Sequence, residues 1–158
     1  MKAIYLLALG AVAFTACTGK TATDTAATST CDKNETYVGV LPAADCEGIR
    51  YTLSLDYSDD KNCTDGDYDL TEVYLQADST AVDGVRDSQT FRTEGDFQVK
   101  TGTPSDPSQK YIVLTPDKES DATATPLYFL IDSDKAITLV GADLTKADSP
   151  LNYTLTLK

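Results

Sequence analysis

Two segments alternate apolar and polar residues with a period of two, and this pattern constrains the chain more than any other feature. Ile49, Tyr51, Leu53, Leu55 and Tyr57 interleave with Arg50, Thr52, Ser54 and Asp56; near the C terminus Leu151, Tyr153, Leu155 and Leu157 interleave with Asn152, Thr154, Thr156 and Lys158. Successive side chains of a strand point to opposite faces, so each segment offers one face to a core and one to water. That is the signature of antiparallel strands buried on one side. Weaker strands are predicted at about 37–42, 68–77, 89–93, 95–100, 110–115, 126–132 and 136–141, with Asp65-Gly66, Asp83-Gly84 and Thr103-Pro104-Ser105-Asp106-Pro107 as punctuation between some of them. No amphipathic helix is readable. Strands without a covering helix must hide their apolar faces against a second sheet or by closing on themselves. For a chain of 158 residues the expectation is an all-β fold, a small antiparallel β-barrel of about 8 strands.

The N-terminal residues lie outside this pattern. Lys2 precedes an apolar run of eleven residues from Ile4 to Phe14, which ends in Phe14-Thr15-Ala16-Cys17. The run is too short to span a bilayer, which takes ~20 residues, and reads as an export signal. Its end resembles a bacterial lipobox, which implies cleavage before Cys17 and acylation of that thiol. Three acyl chains would make attachment effectively permanent, since each buried CH₂ contributes ~0.8 kcal/mol. Residues 18–30 hold six threonines, three alanines and no large apolar side chain, a flexible tether with a mean span of roughly 20 Å. The chain therefore divides into a signal peptide (1–16), a lipidated cysteine and tether (17–36) and a barrel (37–158). Its expected place is the outer membrane, facing the periplasm.

Composition narrows the chemistry. The formal net charge is −12 and no cluster of Lys and Arg is visible in the sequence, so nucleic acid is not an expected partner. Histidine is absent and the single methionine is Met1, which removes the two side chains other than cysteine that copper sites usually employ. Absent histidine also removes the commonest general base. No enzyme activity, metal or cofactor is expected. Asp59-Asp60 and the run Asp65, Asp67, Asp69 lack the ligand spacing of a dedicated calcium loop and read as solvated carboxylates.

The most specific stretch is Tyr37-Val-Gly-Val-Leu-Pro-Ala-Ala-Asp-Cys-Glu-Gly-Ile49. Gly39, Pro42 and Gly48 punctuate two β-prone runs, and Asp45, Cys46 and Glu47 occupy the turn between them. This hairpin resembles that of the NlpE family of copper-resistance and envelope-stress lipoproteins, written G-x-L-P-C-A-D-C-x-G-I. Gly39, Leu41, Pro42, Ala44, Asp45, Cys46, Gly48 and Ile49 match, whereas Ala43 stands where the family has its first cysteine. The resemblance continues in order through Tyr74, Gly95-Asp96-Phe97, Ile112-Val113-Leu114-Thr115, Tyr128-Phe129-Leu130 and Asn152-Tyr153-Thr154-Leu155. It implies a lipocalin-like barrel on a membrane anchor, a non-enzymatic role in envelope stress sensing or copper homeostasis, and an envelope sensor protein as partner. A barrel of this kind could alternatively carry a small apolar ligand, with tyrosines at its mouth.

With Cys17 assigned to lipid, Cys31, Cys46 and Cys63 remain, an odd number for an oxidising compartment. Cys31 precedes the first strand of the hairpin and Cys63 follows the second, so both lie at its open end, while Cys46 is at the closed end. A strand advances ~3.3 Å per residue, which separates the two ends by some 30 Å, and a disulfide needs Cα atoms within ~7 Å. The expected bond is Cys31–Cys63. Cys46 is left free, flanked by Asp45 and Glu47 whose charges oppose a thiolate. Without a cysteine at position 43 it can neither close a turn disulfide nor chelate a soft metal alone. Non-reducing peptide mapping is expected to return one Cys31–Cys63 peptide; any disulfide-linked peptide containing Cys46 would contradict the assignment.

Overall fold

The computed structural model describes residue 31 and residues 33–58, 62–118 and 123–158. The expected signal peptide, the Cys17 lipidation site, the tether up to residue 30 and the Asp59-Asp60 run lie outside the described residues. Among the described residues there are eight strands and no helix: β1 (Asn34–Leu41), β2 (Gly48–Tyr57), β3 (Asp65–Ala77), β4 (Val85–Thr101), β5 (Lys110–Pro116), β6 (Leu127–Ser133), β7 (Ala136–Val140) and β8 (Thr154–Leu157). They form a closed barrel in chain order, each antiparallel to the next. β1 and β8 complete the ring through Tyr37↔Leu157 and Val38↔Thr156.

Alternation decides what the ring encloses. Paired residues of an antiparallel ladder share a face, so Tyr37↔Leu53↔Leu70 and Phe97↔Leu114↔Leu127 place whole layers inside. Leu53, Leu55, Leu70, Phe97, Ile112, Leu114, Phe129, Ile137 and Leu155 are essentially inaccessible to solvent. Small barrels are filled by their own side chains in this way, and the middle of this one is a core. Tyr37, Tyr51, Tyr57 and Tyr68 are buried with it; Tyr57 meets Phe97 edge-on with ring centroids 4.9 Å apart.

Three expectations are corrected. Segments 89–93 and 95–100 are one strand, because Gly95 continues β4 between Tyr68 and Pro116 without a turn. The last strand begins at Thr154 instead of Leu151; Leu151 is exposed although it keeps the alternating phase. The first strand begins at Asn34, ahead of residue 37, so the barrel reaches back into the span assigned to the tether. There the Tyr57 amide donates to the Lys33 carbonyl at 3.0 Å, carrying the β1–β2 ladder almost to the disulfide.

Cys31 and Cys63 are bonded, with Cα atoms 5.4 Å apart, and Cys46 is the free cysteine among the described residues. The bond fixes the start of the barrel to the β2–β3 connection. Closing a loop of 32 residues limits the unfolded chain, with a stabilisation of about 3–4 kcal/mol in the chain-entropy treatment. Two variants therefore have expected sizes in urea unfolding. Cys31→Ser with Cys63→Ser should lower stability by about 3 kcal/mol, and Leu53→Ala, at the centre of the filled interior, by about 2–5 kcal/mol.

Candidate functional site

The hairpin turn singled out in the sequence closes one end of the barrel between β1 and β2. Leu41 and Gly48 are buried at its base, while Ala44, Asp45 and Glu47 are exposed and Pro42, Ala43 and Cys46 are intermediate. Two glycines of the stretch have steric reasons. A Cβ on Gly39 would stand 2.8 Å from Leu155 Cδ2 and 2.9 Å from the Thr154 carbonyl oxygen, so Gly39 lets β8 approach β1. Gly48 leaves the turn at φ +146°, where a Cβ would also meet Val40 Cγ1 at 2.7 Å.

Asp45, Cys46 and Glu47 are held together in space as in sequence, but not as a chelate. The Cys46 thiol donates to the Gly48 carbonyl at 3.2 Å, and the Glu47 amide donates to the Leu75 carbonyl of β3 at 3.1 Å. These bonds settle the turn against β3, where Tyr74 lies. The Tyr74 phenol is raised by burial and then by the nearby charges of Glu72, Asp45 and Cys46. Among the described residues no group of three or more His, Cys, Asp or Glu side chains is placed to hold a metal ion. Asp65 accepts from the Ser58 hydroxyl and Asp69 is paired with Arg92, so the acidic run on β3 has local partners instead of converging on one point.

Two interior carboxylates escaped the sequence reading. Glu35 accepts from the Tyr57 hydroxyl at 2.9 Å and the Tyr37 hydroxyl at 3.2 Å, and Lys33 Nζ lies 2.7 Å from its other oxygen. The same ammonium sits 4.8 Å from the centre of the Tyr57 ring. At the turn end, Glu72 lies opposite Tyr51 in the β2–β3 ladder, and its charge, after burial, raises the Tyr51 phenol. The signal was present in the alternation: Glu35 shares the inward phase of Tyr37 and Leu41, and Glu72 that of Tyr68, Leu70 and Tyr74. A polar residue in an apolar phase asks for a partner, and Tyr37 and Tyr57 supply it at the Glu35 end.

Burial, and then the partner carboxylates, raise Tyr37, Tyr51 and Tyr57 far above the ordinary phenol value of 10, while burial with Asp117, Asp96 and Glu72 pushes Tyr68 up to about 12. The sign follows from linkage. A phenol raised in the folded state keeps its proton there after the unfolded chain has lost it, so its contribution is full below about pH 10 and is lost as pH rises through the folded value. Phenolate absorbance is expected to show these tyrosines silent near pH 10 and ionising together on alkaline unfolding, with urea stability declining over the same window.

A protein-family model described as the NlpE N-terminal domain matches residues 37–150. No curated protein and no solved structure matches the chain.

Proposed function

The chain belongs to the NlpE N-terminal domain family, and from that premise we propose that it is a non-enzymatic lipoprotein of the cell envelope, anchored through Cys17, that reports on envelope stress by contact with a sensor protein. The observation that carries the choice of contact over chemistry is the turn. Cys46 is its only thiol, it is spent on the Gly48 carbonyl, and Ala43 occupies the position of the family's first cysteine. One thiol among carboxylates is an incomplete soft-metal site. The filled interior likewise offers a carried apolar ligand no room at the level of Leu53, Leu70, Leu114 and Phe129, so a carrier role has no observation in its favour.

The mechanism follows from the anchor. A lipoprotein whose acylation or transport fails stays at the inner membrane, where a tether of roughly 20 Å keeps the barrel within reach of a membrane-bound sensor. Correct export to the outer membrane removes it from that reach, so the signal is the location of the chain. Deletion and overexpression of the gene, with envelope-stress reporters and copper tolerance followed in parallel, are expected to move the reporters; a response of neither would refute the proposal. Copper(I) titration of the purified protein against Cys46→Ser is expected to show no tight stoichiometric site, and tight binding lost in the variant would restore a direct metal role.

A further inference from the structure

The barrel is open above its core at the end where the chain enters. Lys33, Glu35, Tyr37 and Tyr57 form one wall of a cavity of about 420 Å³ there, and Val99, Ile112 and Ile131 line its apolar side. These three come from β4, β5 and β6 and share the inward phase of Phe97, Leu114 and Phe129. The cavity is therefore the mouth of the ring, beyond the filled level of Leu53 and Leu70. Apolar lining with a few converging polar groups is what small-molecule sites have in common, and barrel mouths are among their usual places.

The polar wall is built around one carboxylate. Glu35 has only 10% of its side chain exposed, and both of its oxygens are engaged. Oε2 accepts from the Tyr57 hydroxyl at 2.9 Å and from the Tyr37 hydroxyl at 3.2 Å, while Oε1 faces the Lys33 ammonium at 2.7 Å. The two phenols belong to buried rings, so they fix the carboxylate and leave its second oxygen for a cation. The ammonium in that place also lies 4.8 Å from the centre of the Tyr57 ring. Carboxylate and aromatic face thus make a cage for a positive nitrogen.

The cage is fixed, but the cation in it is not. The main chain of Lys33 is held, its carbonyl accepting from the Tyr57 amide at 3.0 Å, yet half of its side chain is exposed. A flexible four-carbon stem can turn its ammonium out to water without moving the backbone, whereas buried Glu35 stays. Charge then selects what replaces it. The cavity is lined by two carboxylates, Glu35 and Asp134, and two ammonium groups, Lys33 and Lys110. With Lys33 turned out one negative charge is left over beside a buried carboxylate, and a single positive charge restores the balance.

We propose that the mouth of the barrel binds a small primary amine with an apolar body, whose ammonium takes the place of the Lys33 ammonium between Glu35 and the Tyr57 ring and whose apolar part lies on Val99, Ile112 and Ile131. Lys33 is then a resident competitor. It keeps the carboxylate paired while the site is empty, and it lowers the apparent affinity for the ligand by the fraction of time it holds the cage. Such a site selects by charge and leaves the core filled, which separates it from a cavity for a carried apolar ligand. It follows from the geometry of the mouth and stands whether or not the envelope-stress assignment does.

The test follows the isoleucine methyl signals of the full chain in a non-ionic detergent by NMR during titration with hexylammonium. Saturable shifts are expected at Ile112 and Ile131 and none at Ile49, which lies at the turn end of the barrel. Hexanoate, with the charge reversed, is expected to cause none, and methylammonium, without the apolar body, to bind at least about tenfold more weakly. Lys33→Ala should tighten hexylammonium by about five- to tenfold, a gain that a damaged fold would not give. Lys118→Ala removes the same charge from the β5–β6 connection and should leave affinity unchanged. Glu35→Gln keeps an acceptor for the two phenols and should weaken binding by about tenfold or more. Unchanged or weaker binding in Lys33→Ala, an equal gain in Lys118→Ala, or unchanged binding in Glu35→Gln would each overturn the proposal. Equal binding of hexanoate or methylammonium, or shifts that reach Ile49 alike, would overturn it in favour of non-specific association.

Discussion

Closure between β1 and β8 is the constraint on which the rest depends. Eight strands without a covering helix leave apolar faces that water would reach along any open edge. The ring is completed by a short seam, Tyr37↔Leu157 and Val38↔Thr156, reinforced where the Lys158 amide donates to the Thr36 carbonyl at 2.9 Å. Gly39 permits it, because any Cβ there would collide with Leu155 and the Thr154 carbonyl. Leu155, fully buried by that approach, joins the central layer with Ile137 across β7. A small residue on one strand and a large one on its neighbour thus decide together whether the barrel shuts.

Once shut, the ring has ends that differ in chemistry from its middle. The central layers are aliphatic and aromatic and exclude water, while each end has an inward glutamate beside tyrosines: Glu35 accepts from the Tyr37 and Tyr57 hydroxyls, and Glu72 lies opposite Tyr51. A buried carboxylate without donors costs several kcal/mol, so tyrosines that reach outward from an apolar ring to a polar tip are suited to these positions. Lys33 and the Cys31–Cys63 bond gather at the Glu35 end, where the chain enters the barrel. The Cys46 turn and the long β3–β4 ribbon project from the other. The turn and the ribbon therefore lie at the end of the barrel away from the point where the chain enters it.

Much of the fold could be read from local pattern. The alternation around Leu53 and Leu155, the punctuation at Asp83-Gly84, and the absence of helical periodicity led to an eight-strand antiparallel barrel, which the structure has, although Asp65-Gly66, read as punctuation, opens β3. Disulfide pairing was legible too, because strand rise makes the two ends of a hairpin too distant for Cys46 to reach Cys63. Misreadings fell where local pattern and tertiary context part company. Gly95 looked like a break and is a strand residue opposite Tyr68; Leu151 kept the phase and has no neighbouring strand.

The sequence by itself determined the strand phases, the turn and its single thiol, the disulfide partners and the family to which the chain belongs. Those are properties of neighbouring residues, and short-range sterics and solvation settle them. Tertiary structure alone decided which inward glutamate meets which tyrosine, which glycine yields to which strand, and where β5 runs out beside β4. Each depends on register between segments distant in sequence, such as Thr36 with Ser54 or Gly95 with Pro116, and a shift of one residue would turn every side chain to the opposite face. The hairpin specified its own ends, but the faces it meets were chosen only when the ring closed.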